Sequence, residues 1–209
     1  MAMTPEIRNF SAALVVALIG GLAAASFSHA QAPAPAGVFT ADGKLDFPSD
    51  YRTWVYLSSG MDMAYVEGGG GAMHAFDNVF VDPAAYQAFQ KTGTWPNGTV
   101  LVLEVRDAQA HASIDKAGRS QGRRIAAEVH VKDTARFAET GGWGFVGFNG
   151  EKPGNVIPKT AACYACHQAH AAVDTTFVQF YPTLLPISTA KATLSAAYLA
   201  EEKAAARVK

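Results

Sequence analysis

Val100-Leu101-Val102-Leu103-Glu104-Val105, entered from the turn Trp95-Pro96-Asn97-Gly98, is short, dominated by β-branched and aliphatic residues, and bounded by turn formers. It reads as a strand. Working outward, the same signature recurs at residues 54–57 and 79–81 upstream and at 125–131 and 143–148 downstream. Between residues 81 and 99 the pattern changes to a helix, with Asp82 as N-cap, Pro83 at the first position, Tyr86 and Phe89 on one face and Gly93 at the end. Later, residues 189–209 are alanine-rich with mixed charge and are expected to be helical. Strands followed by helical pieces, without β-α-β alternation, predict an α+β domain built mainly on an antiparallel sheet.

The ends of the chain have other compositions. Residues 10–27 are uncharged, and Ser28-His29-Ala30 or the overlapping Ala30-Gln31-Ala32 supplies a small-x-small cleavage pattern. Residues 1–30 therefore read as a secretory signal cut after Ala30 or Ala32, which predicts a periplasmic protein, with a retained anchor as the alternative. A proline- and alanine-rich leader at 31–40 precedes the domain proper at 41–188, and 189–209 form the tail. Some 175 residues after the signal suffice for one hydrophobic core. A net charge of -1 gives no electrostatic case for nucleic acid. The glycine run 68–71 and the polar segment 111–122 read as loops.

The chain has two cysteines, and they stand in Cys163-Tyr164-Ala165-Cys166-His167. A disulfide across so short a loop constrains little chain, so the pair is better explained by chemistry than by bracing. C-x-x-C-H is the spacing of c-type haem attachment: two thiols meet two vinyl groups on one porphyrin edge, and the adjoining imidazole of His167 falls over the iron. Zinc held by Cys163, Cys166, His167 and His170 would crowd all four ligands into one segment. A redox dithiol would need a β-α-β setting. His170 reads as a residue outside the ligand set. Met61, Met63, Met73 and His74 are candidates for a sixth ligand, which would suit an electron carrier.

Further motifs resemble the cytochrome P-460 family, which includes the β-sheet cytochromes c′: Asp50-Tyr51-Arg52-Thr53-Trp54-Val55, Asn78-Val79-Phe80-Val81-Asp82-Pro83, Lys91-Thr92-Gly93-Thr94-Trp95-Pro96-Asn97-Gly98-Thr99, and Phe177-Val178-Gln179-Phe180-Tyr181-Pro182, together with the cysteine motif. The resemblance implies one haem c packed on the sheet, His167 as proximal ligand, an open distal face and a homodimer. It also implies that Leu103 stands where some members carry a lysine cross-linked to the porphyrin, which puts hydroxylamine oxidation by that route in doubt. Glu128 matches the family's distal carboxylate, a candidate base. Leu103, with Phe76 and Phe80 as neighbours, would form an apolar distal wall suited to nitric oxide or a related small ligand. The expected function is ligand binding by an exported mono-haem cytochrome. The alternatives are electron transfer with a redox partner protein, and an oxidoreductase acting on hydroxylamine.

Overall fold

The β-branched runs form five strands: β1 (Val55–Met61), β2 (Ala75–Val81), β3 (Val100–Gln109), β4 (Ser120–Lys132) and β5 (Trp143–Phe148). The structure is a computed structural model describing residues 37–64 and 73–207. Within them the strands make one antiparallel sheet in sequence order, each paired with the next. The α+β expectation holds, with one helix between β2 and β3 and the others after β5, the last near the C-terminal end. β3 and β4 run well past the apolar stretches that announce them. Their added ends are polar and are tied across the sheet, as where Asn78 Nδ2 donates to Gln121 Oε1 at 2.8 Å.

Side chains alternate between the sheet's two faces, and each face has its own core. Val100, Val102, Val129, Val131 and Val146 pack on one face under Leu45, Tyr51 and Phe137. On the other, Leu57, Val81, Leu101 and Trp143 meet α1 (Pro83–Thr92) through Ala85 and Phe89, together with Val173, Val178 and Leu184. This second face is the one that matters for function. Its covered half ends at the row of Leu101 and His130. The row beyond, Val79, Leu103 and Glu128, is half-buried at the first two and exposed at Glu128.

The remaining helices are α2 (Ala162–His170), α3 (Leu185–Lys191) and α4 (Ala196–Ala205). The helical tail is thus two helices, separated where Ala192 turns to φ 55°. Ser195 caps α4 by accepting from Tyr198 N at 3.1 Å, and its own hydroxyl donates to Ala171 O at 2.7 Å, which docks α4 against the end of α2. Upstream, Phe39 bridges Leu45 and Leu45 bridges Gly154, so residues near the end of the expected leader pair with the domain. The expected signal and the glycine run 68–71 lie outside the described residues. Among those described, no helix is long and apolar enough to cross a membrane.

Candidate functional site

Helix α2 carries both cysteines and His167. One turn of helix separates Cys163 from Cys166, so the two share a side of α2 with His167 at its next position. Both cysteines are half-buried. The helix lacks a side-chain N-cap, since Ala161 occupies that place. Tyr164 compensates. Its hydroxyl donates to Ile157 O at 3.0 Å and accepts from Phe145 N at 3.2 Å, which pins the first turn to β5. Its ring meets Phe145 edge-on at 4.8 Å. Burial raises the Tyr164 pKa, keeping the phenol protonated as this pair of bonds requires.

His167 sits at the junction of α2 and the sheet. Its Nδ1 lies 2.7 Å from Thr175 O, and a carbonyl can only accept, so Nδ1 is the protonated nitrogen. Nε2 is thereby left as the lone-pair nitrogen. Burial holds the ring below the ordinary imidazole range against the opposing bond to Thr175, so the neutral form prevails. Phe145 at 4.6 Å, His130 at 5.1 Å and Phe177 at 4.3 Å surround it. A neutral imidazole with its far nitrogen anchored to a carbonyl is the form that ligates iron.

The sheet brings some of the expected residues to this face and keeps others away. Leu103 pairs with Val79 on one side and Glu128 on the other, and all three share the parity of His130 and Leu101. Leu103 and Glu128 therefore face the same side as His167. Phe76 and Phe80 have the opposite parity on β2, pairing with Arg106 and Val102. Phe80 packs edge-on to Tyr51 at 5.5 Å in the other core. The expected wall of Leu103 with Phe76 and Phe80 is not assembled, because a two-residue period sends them through the sheet. Val79 and Phe145 are the neighbours that Leu103 and His167 have instead.

Of the candidate sixth ligands, Met61 pairs with Phe76 and so lies on the far side, while Met73 is exposed. His74 is also exposed, with Nδ1 held 2.7 Å from Asp62 Oδ2. Met63 differs. A Cβ on Gly60 would lie 2.9 Å from its sulfur, and Gly60 pairs with Asp77, which shares the parity of Val79. The Met63 thioether thus covers β1 on the face of Leu103. His170 turns to Glu201 of α4 rather than toward the thiols. Among the described residues, no three His, Cys, Asp or Glu side chains are grouped to hold a metal ion.

Sequence reasoning missed His130, Thr175 and the anchoring role of Tyr164. His130 carried a signal, since it is two residues from Glu128 and so shares its face. Thr175 carried none, because a carbonyl's aim is set by a turn. The donor set suits haem c: two cysteines on one helix side, a neutral imidazole with one nitrogen engaged, and half-buried aliphatic side chains on the same sheet face. A family model described as Cytochrome P460 matches residues 48–178. No curated protein matches the chain.

Proposed function

The chain belongs to the cytochrome P460 family and is a haem-binding cytochrome, and from that premise we propose that it is an exported, mono-haem c-type protein that binds nitric oxide or a related small nitrogen oxide. Cys163 and Cys166 would hold a haem through thioether bonds, and His167 would offer Nε2 to its iron. The observation that carries this reading is the bond from Nδ1 of His167, on the helix that bears both cysteines, to Thr175 O in the turn beyond it. When bound, haem would supply a redox-active iron able to take small ligands.

On the sheet face that His167 meets, Leu103 and Val79 offer carbon alone, so a small ligand held against them meets no donor from either. Glu128 is the nearest carboxylate in register and acts as the base if a proton must leave a bound nitrogen compound. Leucine has no nucleophilic nitrogen, so a porphyrin cross-link at residue 103 does not form. Hydroxylamine oxidation, if present, runs through Glu128 instead. The small-x-small pattern at Ala30 and Ala32 supports a periplasmic location, and membership of the family supports a homodimer.

Absorption spectra of the reduced protein with and without nitric oxide test the reading. A high-spin, five-coordinate spectrum that converts rapidly on adding the gas is expected. Low-spin spectra in both oxidation states, unmoved by the gas, would overturn it. A second reading, electron transfer, draws on the Met63 thioether lying on the face of Leu103. It requires a low-spin spectrum that Met63→Leu abolishes.

A further inference from the structure

We infer that Thr175 and His130 act together as positioning residues for His167, one offering its carbonyl to the ligand imidazole and the other locking that carbonyl's aim. The inference rests on the proposal that His167 is the iron's axial ligand.

Thr175 lies within a four-residue turn, where Thr176 N donates to Val173 O at 2.9 Å. Every side of the turn is fastened. Trp95 Nε1 donates to Thr176 Oγ1 at 2.8 Å, and that hydroxyl donates to Val173 O at 2.8 Å. Lys132 Nζ reaches Asp174 Oδ2 at 3.0 Å. His130 Nε2 lies 3.3 Å from Thr175 Oγ1. His130 and Lys132 are two residues apart on β4, so one strand face grips both central residues of the turn. Asp174 holds φ 53°, a conformation that non-glycine residues keep when surrounding contacts over-determine it.

His130 is suited to be the fixed point. It is buried, stacked on Phe145 with ring centres 4.1 Å apart and planes 8° from parallel, and lies 4.4 Å from Trp143. Thr175 then joins the two imidazoles, its hydroxyl toward His130 and its carbonyl toward His167. A well-aimed carbonyl makes His167 a stronger electron donor at Nε2. A stronger donor stabilises the ferric state and tightens the iron–nitrogen bond.

Three variants of the holoprotein test this. His130→Phe keeps an aromatic ring in the stack and removes Nε2; Thr175→Val keeps the carbonyl and removes the hydroxyl; Thr175→Ser restores the hydroxyl. The readouts are the iron–histidine stretching frequency of the reduced protein by resonance Raman and the ferric-to-ferrous ratio at a fixed potential. In His130→Phe and Thr175→Val the stretch is expected to fall and the ratio to drop by up to about tenfold, or about 59 mV for one electron. The double variant should shift no further than the larger single, because both break one contact. Thr175→Ser should match the wild type. A wild-type stretch and ratio in both single variants, or additive shifts in the double, would overturn the inference. A wild-type protein that is five-coordinate and high-spin when reduced, yet shows no iron–histidine band, would instead overturn the assignment of His167 beneath it.

Discussion

Glu104 takes a carboxylate into the sheet interior at 3 % exposure, where an unpaired charge would not survive. Tyr51 donates to it at 2.7 Å, Arg106 Nη1 at 2.9 Å, and Arg52 bonds to the same oxygen. Burial pushes its pKa up, but the bonds from Tyr51 and Arg106 and the charges of Arg52 and Arg106 outweigh it, leaving a net lowering. With the folded value below the unfolded one, the unfolded chain takes the proton first as pH falls. The stabilisation is complete above the ordinary glutamate value of 4.5 and is lost as pH drops through the folded value. Glu104→Gln should cost about 3 kcal/mol at pH 7, the low end for breaking a buried pair, since Arg52 is half exposed and can return to water. Urea midpoints at pH 7 and pH 3.5 check this: the gap between variant and wild type should narrow in acid. Tyr164→Phe, which deprives Ile157 O and Phe145 N of their partner, should cost about 1–3 kcal/mol by the same measurement.

At the scale of elements, α1 and α2 make a contrast. α1 is closed at both ends by its own sequence. Asp82 accepts from Ala85 N at 2.8 Å and from Val100 N at 3.1 Å, and Gly93 ends the helix at φ 75°. These punctuating residues made α1 legible in advance, cap to cap. α2 carries no such punctuation, because Ala161 begins it without a side-chain cap, and its cysteine spacing announced chemistry rather than a helix. Asp82→Ala should therefore destabilise by about 2 kcal/mol, losing the cap and a partner for Val100. Ala161→Asp should stabilise by about 0.5–1 kcal/mol. Gly93→Ala combines an unfavourable φ with a Cβ that would lie 2.9 Å from both Lys191 and Thr193, and should cost more than about 1 kcal/mol. Thermal unfolding of the three variants ranks them. The strands were legible through their apolar stretches, whereas the polar ends of β3 and β4 were not, since pairing rather than hydropathy carries them.

Over the whole molecule, the site joins pieces distant in sequence. β4 gives His130, β5 gives Phe145, α2 gives the thiols and His167, and the turn before Phe177 gives a carbonyl. The motif pointed to the chemistry proposed, and strand parity could have placed Glu128 beside His130. Parity also separates Phe80 from Leu103, but only once β2 and β3 are aligned, which is a long-range pairing that periodicity does not contain. The Thr175 carbonyl depends on the fold as a unit and left no trace in composition. All of it presupposes that Cys163 and Cys166 anchor a porphyrin. The most direct measurement is the intact mass and haem absorbance of the protein after full denaturation, purified from a host that assembles c-type cytochromes. One haem should stay with the unfolded chain, and Cys163→Ser with Cys166→Ser should release it. A denatured wild-type chain free of haem, with both thiols titrating or bridged to each other, would contradict the assignment.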